Sequence, residues 1–429
     1  MSSTSVAFQH FGCKVNFAEA SSISGEFRDK GFELKDHKEV ADIYVISTCV
    51  VTSVAEKKCR AAIHHAHSLN PHAKIAVIGC FSELKPGELQ QIDGVDLVLG
   101  NNAKYNLFEE LEKLSNHDYH GGLRSSLNAD SEFVPSFSYG DRTRSFLKIQ
   151  DGCDYYCSYC TIPFARGHSR SDSIEHLLTS AENIVSKGIR EIVLTGVNIG
   201  DFGKHNGETL LQLLQALDQV NGLSRIRISS VEPDLLTDEI IDLTAGSGKI
   251  MPHFHMPLQS GSGKILKAMK RRYDPELYAG RVERIKKIMP RACIAADVIV
   301  GFPGETGQDF TETFQYLEKL EVSYMHVFTY SKRENTLASK LSDVVPDKMK
   351  KERSRELHHL SDLKKHSFYQ QNTGIETSVL FESDNSNGWM HGFTENYIKV
   401  KTKFDPALAN QIRKVILNEM DEHGIYITE

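Results

Sequence analysis

Cys153, Cys157 and Cys160 fall within eight residues, in the run Cys153-Asp-Tyr-Tyr-Cys157-Ser-Tyr-Cys160. Three thiolates on one short loop can hold three irons of a cubane and leave the fourth iron with an open coordination position. S-adenosylmethionine can chelate that iron through its amine and carboxylate. An electron from the cluster then breaks the sulfonium bond and releases a 5′-deoxyadenosyl radical. The alternative is a structural zinc site, which needs a fourth ligand such as His168. The three-plus-two spacing and the aromatic Tyr159 before the last cysteine favour iron.

Three further cysteines, Cys13, Cys49 and Cys80, lie far apart in the chain, and only the elements around them can bring them together. Apolar β-branched runs over 6–11, 43–47, 75–78 and 95–99 alternate with helical patterns over 17–30, 54–68 and 86–92. That alternation predicts a parallel sheet of βα units. Each of the three cysteines follows one of the strands, so all belong to the carboxyl edge of the sheet, where ligands bind in such folds. A cysteine that merely packs as a small apolar residue is the bland alternative.

From 115 to about 144 the pattern dissolves into Gly, Ser, Asn, Asp and single aromatics, which reads as a linker. Six strand-like runs follow, over 146–150, 192–196, 226–230, 254–258, 294–300 and 324–330, with helical segments between most of them. The repeat predicts a partial (βα)6 barrel whose site is built from the loops after the strands, the first of which carries Cys153. Pro346 opens a charged helix to about residue 370, and short β segments over 378–382, 397–403 and 414–418 predict a small all-β module. The class is α/β, with expected domains at 1–116, 139–371 and 372–429 and a linker at 117–138.

At 429 residues, 40% hydrophobic and 25% charged, the chain has the composition of a globular protein and no apolar run long enough to span a bilayer. Residues 1–9 lack the marks of a secretory signal, so a cytoplasmic location is expected, where clustered cysteines bind metals or act in catalysis rather than pair as disulfides. A net charge of −7 argues against nucleic-acid binding by bulk electrostatics and leaves local patches as the route.

The run DGCDYYCSYCTIPFARGHSRS, with Gly12-Cys-Lys-Val-Asn16, Thr48-Cys-Val-Val-Thr52 and Gly79-Cys80, resembles the radical S-adenosylmethionine methylthiotransferase family. The resemblance covers essentially the whole chain and ends in a TRAM-like module. It implies a second four-iron cluster on Cys13, Cys49 and Cys80, where the transferred sulfur is bound and methylated. The cofactors are then two [4Fe-4S] clusters and S-adenosylmethionine, used as radical source and as methyl donor. Ser47 stands where the family has Asn. Cys59 and Cys293 match no ligand position and read as helix and strand packing.

By the same resemblance Thr195 and Gly196 occupy the place that receives the methionine amine, and Ser230, Glu232, Gln259 and Asp297 lie in runs that surround the cofactor, with Tyr159 near the adenine. For RNA, Lys399, Lys401 and Lys403 share one strand face with Tyr397, placed to grip phosphates while the tyrosine stacks on a base. Residues 372–429 nevertheless hold five basic and nine acidic residues, and a solvated lysine face is the alternative. Arg271 and Arg272, following Lys264, Lys267 and Lys270, form a second basic patch at the expected barrel mouth.

The reaction that the resemblance implies is removal of the C2 hydrogen of an adenine by the radical and uptake of a methylthio group. The substrate base must be unstacked, which suits a tRNA anticodon loop. The runs GCKVN, RIRISSVEP, HFHMPLQSG and HVFTYSKRENTLA look most like the members acting on N6-threonylcarbamoyladenosine. Members acting on the isopentenyl form or on a ribosomal-protein aspartate are the enzyme alternatives, and a non-catalytic metal-binding RNA module is the alternative of another class. The threonylcarbamoyl carboxylate asks for a cation, for which Arg166, His168, Arg170, Arg271, Arg272 and Arg333 are the candidates. A monomer drawing electrons from an external donor, with no membrane association, completes the expectation.

Overall fold

The computed structural model describes residues 4–114, 123–124, 132–140 and 142–428. The chain groups into two compact units, one of 1–141, 146–156 and 160–172, the other of 142–145, 157–159 and 173–429.

In the first unit, β1 Ser5–His10, β2 Glu33–Lys35, β3 Ile43–Thr48, β4 Lys74–Gly79, β5 Val95–Leu99 and β6 Leu123–Arg124 form one parallel sheet in the order β2-β1-β3-β4-β5-β6. Helices α1 Lys14–Asp29, α2 Ser53–Leu69, α3 Cys80–Leu84, α4 Pro86–Gln90 and α5 Leu107–Leu114 belong to the same unit. A parallel sheet buried on both faces needs apolar residues at consecutive positions, which is why β3 shows no alternation. Tyr44 and Ile46 enter one core with Cys59 and Ile63, whereas Ile43 and Val45 enter another with Ile23 and Phe27.

The segment expected as a linker contributes β6 to this sheet, through Val98 opposite Leu123, and a second short strand, β7 Ser136–Phe137. β7 pairs antiparallel with β8 Ser145–Lys148. Strands this short are held by backbone bonds, which leave little trace in composition. β9 Gln150–Asp151 and β10 Arg170–Ser171 then pair antiparallel on either side of the cysteine loop, with α6 Ile162–Arg166 between them in sequence.

In the second unit, α7 Ile174–Ser186, β11 Glu191–Thr195, α8 Leu210–Asp218, β12 Arg225–Ile228, α9 Asp238–Gly246, β13 His253–Gln259, α10 Gly263–Ala268, α11 Pro275–Ile288, β14 Cys293–Val300, α12 Gly307–Lys319 and β15 Tyr324–Thr329 follow in chain order. β11 pairs parallel with β12, a bridge between Ser230 and His255 leads to β13, and β13, β14 and β15 run parallel. The long α13 Asp347–Gln370 packs on β15, where the Ser361 hydroxyl bonds both backbone groups of Met325 at 2.8 and 3.0 Å. β16 Glu376–Phe381, β17 Trp389–Thr394, β18 Lys399–Lys403, β19 Ile412–Ile416, β20 Glu419–Met420 and β21 Tyr426–Ile427 close the chain as a mainly antiparallel sheet around Val379, Met390, Val400 and Tyr426.

This last sheet is tied to the parallel strands by buried charge. Arg225 donates to the Ser378 carbonyl at 2.7 Å and to that of Phe393 at 3.0 Å, and Arg227 donates to that of Glu395 at 3.1 Å. Glu191 bonds Arg227 at 2.9 Å. Burial alone would raise the Glu191 carboxyl, but the guanidinium groups of Arg227 and Arg144 hold it below its ordinary value. Among the described residues no helix is long and apolar enough to cross a membrane.

Candidate functional site

Cys13 caps α1, Cys49 follows β3 and Cys80 opens α3 directly after β4. Because β1, β3 and β4 are neighbouring parallel strands, all three thiols lie on one edge of the sheet. Asn16 links the loops there. Its amide donates to the Thr48 carbonyl at 2.8 Å, and its carbonyl oxygen lies 3.8 Å from the Cys80 sulfur. Gly12, at φ +102°, passes so close to Cys49 that a Cβ would stand 2.8 Å from the Cys49 Cβ and 3.0 Å from its sulfur. That space and that backbone angle both require glycine.

Beneath this edge lies a buried charge network. Glu19 receives Lys104 at 2.6 Å, Arg166 at 2.9 Å and Lys148 at 3.0 Å. Asp151 receives Arg166 at 2.8 Å and Arg170 at 3.0 Å. Four cations therefore face two carboxylates, an excess of two positive charges. Unbalanced buried charge is costly, so an arrangement like this calls for an anion beside it. The thiol groups of Cys13, Cys49 and Cys80 would supply that anion once deprotonated, facing the Arg166 guanidinium, which Asp151 chiefly holds protonated.

Burial raises the Cys13 thiol even though part of the residue is open to solvent, with Arg166 opposing, and pushes Cys49 up to about 12. Both shifts favour the protonated thiol, so a metal binding here would displace the protons. A three-thiol set, glycine clearance and a cationic floor fit an anionic iron–sulfur cluster with three protein ligands.

The second cysteine set lies on the loop after β9. Cys153 and Cys160 are half-buried and belong to the first unit, where the Cys153 amide donates to the Gly167 carbonyl at 3.0 Å. Gly152, at φ +71°, brings the chain so near His168 that a Cβ would meet its carbonyl oxygen at 1.9 Å. His168 is itself paired with Asp154 at 3.0 Å.

Cys157 is buried in the second unit, 3.1 Å from the Arg271 guanidinium. Arg271 also pairs with Glu232 and lies 3.4 Å from the Tyr159 hydroxyl. The basic patch expected to grip phosphate thus loses Arg271, whose side chain is only 3% exposed, while Arg272 stays on the surface. Sequence reasoning missed its role beside the thiol. The turn between buried Met269 and Tyr273 is Lys270-Arg271-Arg272, and nothing in that run of three cations singles out the one that turns inward.

Thr195 ends β11, buried, with Gly196 next to it, and Ser230 bridges to His255. Gln259 ends β13 at φ +67°, beside a register shift, and its side-chain oxygen is buried with no hydrogen-bond partner among the described residues. An orphaned buried acceptor is costly and marks a place where a ligand donor fits, such as the amine or ribose hydroxyls of S-adenosylmethionine. Asp297 is instead bonded to His255 at 2.8 Å.

The tyrosine expected to stack on a base is already engaged. Tyr397, at φ +66°, lies between His253 at 4.4 Å and Phe393 at 4.7 Å, so it breaks the two-residue alternation assumed for the lysine face. Lys401 pairs with Asp421, Lys399 is half-buried and Lys403 is exposed.

Residues 5–100 match the uncharacterized protein family UPF0004, and residues 147–317 match the radical SAM superfamily. A threonylcarbamoyladenosine tRNA methylthiotransferase from Bacillus subtilis is 39% identical over 96% of this chain and 93% of its own. A tRNA-2-methylthio-N(6)-dimethylallyladenosine synthase from Clostridium botulinum is 33% identical over 81% of this chain and 79% of its own. Among solved structures, the radical S-adenosylmethionine methyltransferase TsrM from Kitasatospora setae, with cobalamin and a [4Fe-4S] cluster bound, shares the fold at a TM-score of 0.56 and 14% identity, over 99% of this chain and 87% of its own.

Proposed function

This chain belongs to the radical S-adenosylmethionine methylthiotransferase family, and from that premise we propose that it inserts a methylthio group at C2 of N6-threonylcarbamoyladenosine 37 in the tRNA anticodon loop. One observation carries the substrate. Similarity to the threonylcarbamoyladenosine enzyme of B. subtilis runs through 96% of the chain at 39% identity, against 81% at 33% for the dimethylallyladenosine relative. The partners are then tRNA and an external electron donor, and the location is the cytoplasm.

Cys153, Cys157 and Cys160 would hold a [4Fe-4S] cluster, which with S-adenosylmethionine bound would supply a 5′-deoxyadenosyl radical. Cys13, Cys49 and Cys80 would hold the second, sulfur-bearing cluster. Around these ligands the chain's own residues do electrostatic work. Arg166, fixed by Glu19 and Asp151, balances thiolate charge at the sheet edge. Arg271, fixed by Glu232, does the same beside Cys157. Gln259 offers its buried oxygen to a donor of the cofactor, and Thr195, Gly196, Ser230, Glu232 and Tyr159 complete the proposed cofactor contacts. A radical is required because an aromatic C–H is too weak an acid for any side-chain base.

The direct test is mass analysis of tRNA nucleosides from cells lacking this protein. Loss of 2-methylthio-N6-threonylcarbamoyladenosine with accumulation of its unthiolated parent is the expected result, and an unchanged nucleoside profile refutes the proposal.

The second cluster has its own test. A Gly12→Ala chain should keep its far-ultraviolet circular dichroism but fall from about eight to about four irons per chain after anaerobic reconstitution, since only one of two four-iron sites remains. Full iron content would show that the Gly12 approach to Cys49 is not needed for that cluster.

For tRNA binding, removing Lys403 should lower the slope of log affinity against log salt by about one, whereas removing Lys401 should change it little because Asp421 already holds that ammonium group. Equal and unchanged slopes in both variants would leave the lysine face merely solvated.

A further inference from the structure

Three ligand-type side chains, none of them a cysteine, converge on adjacent strands of the second unit. His255 on β13, Asp297 on β14 and His326 on β15 place one ligand atom each within 4.8 Å of one another. Parallel register makes this possible. Asp297 stands opposite His326, and His255 stands opposite Ala295, two residues before Asp297 on the same face. Intervening Ala296, Val298 and Met325 are buried, whereas the shared face also carries half-buried Ile299 and exposed Phe328. The His255 ring bonds Asp297 at 2.8 Å, the rings of His255 and His326 are 5.4 Å apart, and Tyr324 packs edge-on against His326 at 5.3 Å, limiting its orientation.

We propose that His255, Asp297 and His326 form a binding site for a divalent first-row transition-metal ion. Beyond the His255–Asp297 hydrogen bond, the His326 imidazole also brings a ring nitrogen within 4.8 Å of the ligand atoms of both. Two imidazoles and one carboxylate on one face are the donor set that holds Fe(II) and related ions while leaving coordination positions open. The set is chemically distinct from the thiolate sets, which select iron–sulfur clusters, so the two kinds of metal need not compete for ligands. His326 is exposed and the other two are each about one-fifth exposed at the side chain, so an ion can enter from the open side of the sheet and take oxygen donors there. The inference is independent of which tRNA base the enzyme modifies.

The experiment uses anaerobically reconstituted holoenzyme, cleared of loose iron and titrated with Mn(II) and separately with Co(II). Free Mn(II) is followed by its electron paramagnetic resonance signal, and bound cobalt is counted against cluster iron. One equivalent of ion should bind to the wild-type chain beyond cluster iron, and His326→Ala and Asp297→Asn should each weaken it at least tenfold while iron and sulfide content stay unchanged. His326 is exposed, so its replacement leaves the packed core intact. Binding of neither ion, or binding equally tight in both variants, overturns the site.

Discussion

Replacing Cys153, Cys157 and Cys160 together by Ala will abolish production of 5′-deoxyadenosine, while replacing Cys13, Cys49 and Cys80 together will leave reductive cleavage of S-adenosylmethionine measurable and stop sulfur transfer. The expectation rests on two separate sets of three thiols, each beside its own arginine: Arg166 at the sheet edge and Arg271 at Cys157. Each triple variant should retain about four irons rather than about eight. On the proposed assignment, cleavage belongs to the open iron of the Cys153 cluster alone, so its yield should fall below detection in one variant and stay within a few-fold of wild type in the other. Product nucleoside should be absent from both. Chromatography of 5′-deoxyadenosine beside nucleoside mass spectrometry reads both outcomes, and loss of cleavage only when Cys13, Cys49 and Cys80 are replaced would reverse the division of labour.

On three synthetic anticodon stem-loops, carrying threonylcarbamoyladenosine, isopentenyladenosine or unmodified adenosine, methylthiolation will be confined to the first by at least about a hundredfold. A site built to hydrogen-bond a polar group rejects analogues that leave its own polar groups unpaired, and such discrimination exceeds what an apolar slot achieves. Four of the six candidate cations already have carboxylate partners within the chain. Arg166, Arg170 and His168 are committed to Glu19, Asp151 and Asp154, and Arg271 to Glu232. Arg272 lies on the surface, and Arg333 is buried with its guanidinium 3.0 Å from the Ser331 hydroxyl. Preferential product on the isopentenyl loop, or product only on a ribosomal protein, would refute the substrate while leaving the radical chemistry in place.

Much of the architecture was legible in sequence because it is written in local patterns. The six barrel-strand runs correspond closely to β8 and β11–β15, and the four N-terminal runs to β1, β3, β4 and β5, since buried parallel strands are short continuous apolar runs bounded by turns, whereas the short, largely exposed β2 left no such run. Strand β17 was missed: Trp389–Thr394 mixes Trp, Met, His, Gly and Phe and shows no clear apolar alternation, and its pairing with β16 and β18 is what defines it. The convergence of Cys13, Cys49 and Cys80 followed from topology alone, because neighbouring parallel strands must share a carboxyl edge.

The sequence by itself determined the close spacing of Cys153, Cys157 and Cys160 on one loop, much of the order of the elements and the residue types available for chemistry, because spacing within a few residues carries its own geometry. Tertiary structure alone decided the partners. Arg166 meets Glu19 across 147 residues, Arg271 turns from the expected surface to Cys157 across 114, and Tyr397 stacks on His253 rather than waiting for a base. His255, Asp297 and His326 become one cluster only through strand register. Periodicity tells which face a side chain occupies, but charge pairing and stacking depend on what packs against that face, and that comes from distant segments of the chain.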